Sequence, residues 1–331
     1  VMLDIPVHDA GYIYGAILDG EGGLIVSGAS DYGIDFGDTS LSNSWSAEDS
    51  LSYIARLSSD GQWDWATGMG GDCNEGDIED EALTLVGGVV RFRVSSGCND
   101  WYLLGDDNHT LPADGGAPDW MIVAIGVDDG SVLWSHSTYA YDGWSGAEYS
   151  SHSLTDADGS TFVWGGFSGD LYWNGSVLMS LGPTTTVDNH SSYAIKVSAD
   201  GELLWHVMLD NPVHAAGYIT GAILDEDGGL IVSGYSEHGG IEFGDTSLSN
   251  SWGEDDEKFS YIARLSSDGQ WDWATGMGGD CDQGDIDDSG LTLVGGVVRF
   301  RVSSNCNDWY LLGGDNHSLP ADGGAPDWVI V

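Results

Sequence analysis

The sequence predicts an all-β protein: a β-propeller of four-stranded blades with a repeat of about 70 residues. Three observations predict it. Residues 52–67, two short strands around a Ser-Asp-Gly turn, return word for word at 260–275 and more loosely at 120–138 and 192–206. The tryptophans that close these stretches, Trp65, Trp134, Trp205 and Trp273, are 69, 71 and 68 residues apart. No segment carries a helical period with caps, so helix is expected to be scarce.

Each tryptophan stands four residues after a turn glycine: Gly61, Gly130, Gly201 or Gly269. Asp-Gly between alternating strands is a hairpin signal, because glycine accepts the positive φ that the turn demands. A second hairpin precedes each of these. Residues 15–28 place two apolar strands around a Gly-rich turn, and residues 221–234 repeat them. Residues 91–105 and 153–166 are divergent versions, the latter turning at Asp156-Ala157-Asp158-Gly159. Each unit thus holds four strands, with a long polar loop between the second and third.

Five blades are expected, at 11–72, 83–141, 148–210, 217–280 and 291–331, the last stopping inside its third strand. A longer repeat overlies them. Residues 207–331 restate residues 1–123, and residues 124–206 occur once. Two copies of a three-blade unit make a six-bladed ring; an open array of blades or a β-sandwich tandem is the alternative. Val1 opens mid-pattern, as in a processed chain or a window cut from a longer one.

Composition sets the setting. Eight Lys and Arg stand against 54 Asp and Glu, a formal charge of −46 over 331 residues. Phosphate backbones would be repelled along almost the whole surface, which excludes nucleic acid as a partner. Such a charge destabilises the compact state unless cations screen it, so a salty extracellular setting is expected. With 41% apolar residues, 15 Trp and 14 Tyr, the chain is not disordered in character, and no run reaches the length of a membrane span.

Residues 23–28, Gly-Leu-Ile-Val-Ser-Gly, and the hairpin running from Ile54-Ala55-Arg56-Leu57 to Trp65-Ala66-Thr67 resemble the extracellular SBBP-type propeller repeats of bacteria and archaea. The spacing of Ala55, Gly61 and Trp65, shared by Ala124, Gly130 and Trp134, is similar to the tryptophan-docking repeat of quinoprotein propellers. That second resemblance implies that each tryptophan stacks on the backbone of the next blade. No recognisable quinone site accompanies it, so the resemblance implies an architecture displayed on cell surfaces rather than an activity.

Candidate sites are few. Cys73 and Cys98, like Cys281 and Cys306, stand 25 apart. Repeat logic favours a disulfide within each copy, worth about 3–3.5 kcal/mol in the chain-entropy model, with buried free thiols as the alternative. The acidic stretch 72–81 and its copy at 280–288 place Asp72, Asn74, Asp77 and Asp80, and Asp280, Asp282, Asp285 and Asp288, around a glycine. Hard oxygen donors in that pattern suit calcium, although the glycine comes one place early for an EF-hand and a solvated loop is the plain alternative. Asn108, Asn174, Asn189 and Asn316 open glycosylation sequons in or beside the loops between second and third strands.

Catalytic signatures are sparse. Ser151 and His152 are adjacent without an assignable acid partner, and the nine histidines lack metal-ligand spacing. Sialidase-type Asp boxes need one residue between Asp and Gly, which Asp158-Gly159 lacks. Trp45, Trp144 and Trp252, in loops, offer faces for sugars if they are not core. The expected function is therefore non-enzymatic: a secreted, self-assembling or adhesive structural protein of the cell surface, in a layer, stalk or filament. A glycan-binding lectin is the alternative, and a propeller hydrolase or quinoprotein ranks third.

Overall fold

Every described element is a strand, and the strands fall into units that repeat one plan. A computed structural model describes residues 11–31, 33–42, 51–71, 76–96, 101–104, 109–111, 119–141, 148–182, 190–209, 217–236, 240–249, 259–279, 284–304, 309–312, 318–319 and 327–330.

Unit one comprises β1 (Gly11–Leu18), β2 (Leu24–Ser30), the hairpin β3 (Gly33–Phe36) and β4 (Thr39–Ser42), β5 (Leu51–Leu57) and β6 (Trp63–Gly71). Unit two runs through β7 (Gly76–Val86), β8 (Val89–Ser96), the hairpin β9 (Trp101–Leu104) and β10 (His109–Leu111), β11 (Asp119–Gly126) and β12 (Val132–Tyr141). Unit three has β13 (Glu148–Thr155), β14 (Thr161–Ser168), the hairpin β15 (Asp170–Trp173) and β16 (Ser176–Ser180), β17 (His190–Val197) and β18 (Leu203–Met208). Unit four repeats unit one with β19 (Gly217–Leu224), β20 (Leu230–Ser236), β21 (Gly240–Phe243), β22 (Thr246–Ser249), β23 (Phe259–Leu265) and β24 (Trp271–Gly279). Unit five adds β25 (Gly284–Val294), β26 (Val297–Ser304), β27 (Trp309–Leu312), β28 (Ser318–Leu319) and β29 (Asp327–Ile330).

Units one to four each pair their main strands in sequence order, all antiparallel; unit five pairs three. The polar loop expected between second and third strands holds a hairpin arm in every unit. Three of these arms reach back to the preceding unit: β9 pairs with β6, β15 with β12, and β27 with β24. The other two, β3–β4 and β21–β22, form separate two-stranded sheets and pack on their own units, Phe36 edge-on to Trp63 and Phe243 edge-on to Trp271.

The pattern differs from the sequence reading at two boundaries. The first strands of units two and five begin at Gly76 and Gly284, inside stretches expected to be acidic loops. Register shows the ladder running through the acidic stretch: Ile78 lies across from Val94 and Glu79 across from Arg93.

Middle strands are buried on both faces, as β14 is along its whole length, so their sheets are covered on each side. Shared cores do the covering. Ile25, Ile54 and Trp65 of unit one pack with Val90, Phe92 and Val123 of unit two. Ile122 and Ala140 of unit two meet Val163, Phe167 and Tyr193 of unit three. Phe162, Trp164 and Ala194 of unit three meet Leu230, Val232 and Tyr261 of unit four. Each fully buried side chain of this size contributes about 1.5–3 kcal/mol. The units therefore stack face to face and share their hydrophobic cores with their neighbours.

One strand glycine shows how tightly each unit is drawn together. The Tyr53 hydroxyl donates to the Tyr12 carbonyl at 2.9 Å, passing directly over Gly28. A Cβ on Gly28 would lie 1.9 Å from that carbonyl oxygen and 2.5 Å from the hydroxyl. Gly234, under the Tyr261–Tyr218 bond of 2.8 Å, repeats the arrangement.

Candidate functional site

The most elaborated feature of the described residues is the seam between successive units. At its centre is the hairpin joining third and fourth strands. A β-bulge interrupts this hairpin in units one to four: Arg56 pairs with Trp65 but Leu57 with Trp63, and the same irregularity precedes Trp134, Trp205 and Trp273. A bulge re-aims the side chain beside it. Here the three indoles of units one to three cross to the next unit. Trp65 Nε1 donates to the Val127 carbonyl at 2.8 Å, Trp134 to Ala199 at 3.0 Å, and Trp205 to Ser267 at 2.9 Å.

Each indole also lies on the receiving unit's turn glycine. A Cβ on Gly130 would sit 2.6 Å from the Trp65 ring, on Gly201 2.7 Å from Trp134, and on Gly269 2.8 Å from Trp205. These glycines hold φ of 70°, 85° and 82°. Glycine is required twice over, for the left-handed backbone and for the seat of a neighbouring ring. Gly130→Ala is expected to cost at least about 1–2 kcal/mol from the backbone alone, with the displaced Trp65 adding to it, as chemical denaturation would show.

A second device locks the turn between first and second strands. Asp19 accepts the Glu21 and Gly23 N–H groups, both at 2.8 Å, and the Arg56 Nε and Nη2 at 3.1 and 3.0 Å. Burial pushes its carboxyl up in pKa, but the two backbone donors and the Arg56 guanidinium outweigh burial and hold it below its ordinary value. Arg56 also reaches Glu21 at 2.8 Å and the bulge residue Asp64 at 3.7 Å. In unit four Arg264 takes Asp225, Asp227 and Asp272 at 2.8, 2.9 and 2.7 Å. Unit three uses Lys196, 3.8 Å from Asp156, whose Nζ also donates to the Gly228 carbonyl of unit four at 3.0 Å.

Five of the eight basic residues of this acidic chain, Arg56, Arg91, Arg93, Lys196 and Arg264, are thus spent on structure. Arg91 is buried between units two and three, only 2% exposed, with Nη2 3.4 Å from the Ala199 carbonyl. Burial lowers its pKa while the Asp156 charge pulls the other way. Arg93 lies 4.6 Å over the ring of Trp120, at cation–π distance.

Among the predicted sites, Asn174 is the best described. It forms the Asn-Gly tip of the β15–β16 hairpin, with φ of 49° and 77° at the two residues, and its side chain is exposed. Its Oδ1 accepts the Ser137 N–H at 3.0 Å, so its Nδ2 faces His136 Nδ1 at 2.8 Å. His136 Nε2 lies 2.7 Å from the Gly201 carbonyl, and the ring stacks on Trp173 at 4.8 Å. That pattern assigns the proton to Nε2 and the lone pair to Nδ1.

Burial holds His136 below its ordinary pKa of 6.5, against the pull of its bonds to Gly201 and Asn174. Burial also lowers His206. A histidine whose pKa is lowered by folding gives stability that is complete above about pH 6.5 and declines below it, because the unfolded chain takes up protons first. Melting temperature is expected to fall between about pH 7 and pH 5.5, and His136→Phe, which keeps a stacking ring without the titration, flattens that fall.

The remaining predicted sites come together less. Asp77 and Asp80 lie on β7, Asp285 and Asp288 on β25, with Asp77 across from Ser95 and Asp285 across from Ser303. Asp72, Asn74, Asp280 and Asp282 lie outside the described residues. So do Cys73, Cys98, Cys281 and Cys306, the sequon residues Asn108, Asn189 and Asn316, and Trp45, Trp144 and Trp252. His152 stacks on Trp164 at 5.6 Å. Among the described residues no group of three or more His, Cys, Asp or Glu is placed to hold a metal ion, and no helix is long and apolar enough to cross a membrane.

Compared with known protein families and with curated proteins, the chain matches none.

Sequence reasoning located the tryptophans and turn glycines, but the residues that pair Asp19 with Arg56, or His136 with Asn174, are 37 and 38 positions apart. For Asp19 and Arg56 the signal is repetition, since Asp225 and Arg264 return in the second copy at matching places; His136 and Asn174 lie in the stretch that occurs once and carry none.

Proposed function

We propose that the chain is an extracellular, acidic β-propeller repeat protein with a structural, self-assembling role at the cell surface. One observation carries this reading: the indole stitch between successive units, made three times with the same atoms. Tryptophans, turn glycines and two buried cations, Arg91 and Lys196, serve to bind units to one another, which suits a stiff scaffold. The near-identity of the two long repeats supports the same reading, since tandem copies supply repeated faces for assembly. A formal charge of −46 keeps such a surface solvated and calls for cations to screen it, which is where calcium and the acidic stretches at 72–81 and 280–288 enter the proposal.

The test is electron microscopy of native, unreduced material in calcium and then in chelator. Ordered polymers or sheets that loosen in chelator are the expected result. Discrete particles indifferent to chelator, combined with binding on a glycan array, would replace this reading with the lectin one.

A further inference from the structure

The two long repeats place nearly identical faces in different surroundings, and the difference points to a partner. Unit four is a copy of unit one, and its leading face is covered by unit three. Ile219 is 5% exposed there, whereas Ile13 at the same place in unit one is 54% exposed. Leu230 and Leu265 are fully buried while Leu24 and Leu57 are half-buried, and Leu18 is exposed where Leu224 is not. Unit three supplies the cover through Phe162, the Lys196 ammonium and Trp205, the last two donating to the Gly228 and Ser267 carbonyls respectively. Gly22 and Ser59, the unit-one copies of those acceptors, lie exposed.

The trailing end shows the same contrast. Arg91 of unit two is buried against the Ala199 carbonyl of unit three, and Thr84 bonds Thr155 there. Their copies in unit five, Arg299 and Thr292, are exposed, as are Val294 and Val297. Trp65 docks on the turn at residues 127–130 and is 7% exposed; Trp273, its copy, is 37% exposed.

The covering groups named here, from Val127 to Trp205, lie within residues 124–206, the one stretch that occurs once while its flanks occur twice; Val207 and Leu209, which join the same core, belong to the repeated part. We infer that the exposed leading face of unit one and the exposed trailing face of unit five are docking surfaces for one and the same partner, a further segment of the 124–206 kind. Such a segment provides a turn for Trp273, a carbonyl for Arg299, and an indole and an ammonium for the Ser59 and Gly22 carbonyls. A single copy satisfies both faces at once and joins the fifth unit to the first. The inference rests on the packing of the sheets and stands apart from the surface role proposed above.

The test extends the full chain after Val331 with a second copy of residues 124–206, and compares it with the 331-residue chain by hydroxyl-radical footprinting and light scattering. Reactivity at Ile13, Leu18 and Trp273 is expected to fall to the levels of Ile219, Leu224 and Trp65, with the extended chain monomeric. Replacing the tryptophan of the added segment that corresponds to Trp205 by alanine is expected to restore reactivity at Ile13 and Leu18 while leaving Trp273 protected. Unchanged reactivity overturns the inference, whether the added segment is itself protected or not. Dimers of the unextended chain in which Ile13 and Leu18 are already protected also overturn it, since a second copy would then occupy the face.

Discussion

Trp65→Ala is expected to lower stability by about 3–5 kcal/mol, while Trp273→Ala, at the same place in the other repeat, costs about half of that or less. The two residues share their flanking sequence, Asp-Gly-Gln-Trp-Asp-Trp-Ala-Thr. Only Trp65 donates to a carbonyl of the next unit and rests on its turn glycine. The alanine variant loses ring burial and the hydrogen bond, and leaves a cavity between Val127 and the core that contains Phe92 and Val123. Trp65→Phe restores much of the burial but not the donor, so it is expected to recover all but about 1–2 kcal/mol. Denaturant titration of the wild type and the three variants checks the series. Equal costs for Trp65→Ala and Trp273→Ala would mean that the tryptophan serves its own hairpin rather than the seam.

Asp19→Ala is the second large effect, about 3 kcal/mol, against no more than about 0.5 kcal/mol for Glu21→Ala two positions on. Both carboxylates contact Arg56. Asp19 is buried with it and also accepts two backbone N–H groups, whereas the Glu21 side chain is largely in water. Removing Asp19 strands a buried N–H at Gly23 and leaves Arg56 short of its best partner. The sign of the pH dependence follows from its depressed pKa: the stabilisation is present above the ordinary carboxylate range and is lost as pH falls through the folded-state value. Acid unfolding of the wild type is therefore expected to be steeper than that of Asp19→Ala, which differs most from it near neutrality.

Much of this was legible in the sequence because the repeat writes the same instructions several times. Alternating apolar residues, Asp-Gly turns and evenly spaced tryptophans specify four strands and their order, and the structure has them. In the sequence the hairpin arms look like polar loop. Their strands are four residues long at most in units one and two, as in Gly33–Phe36 and Trp101–Leu104, too short to show a period. Whether an arm joins the preceding unit, as β15 does, or packs on its own, as β3 does, depends on tertiary contacts that a local pattern does not carry. The same holds for Arg91, whose burial is decided by unit three and not by its neighbours in sequence. Its copy Arg299 sits in the matching Val-Val-Arg-Phe-Arg context and is exposed.

The claim that units are held together by an indole seated in the next unit's turn is tested most directly by a double-mutant cycle between Trp65 and Gly130. Stabilities of the wild type, Trp65→Ala, Gly130→Ala and the pair are measured by denaturant titration. Once the indole is gone, the added methyl has nothing to displace, so the double variant is expected to lose less than the sum, with a coupling of about 0.5–3 kcal/mol. Additivity to within about 0.3–0.5 kcal/mol would contradict the account, because residues in contact across a seam do not act independently.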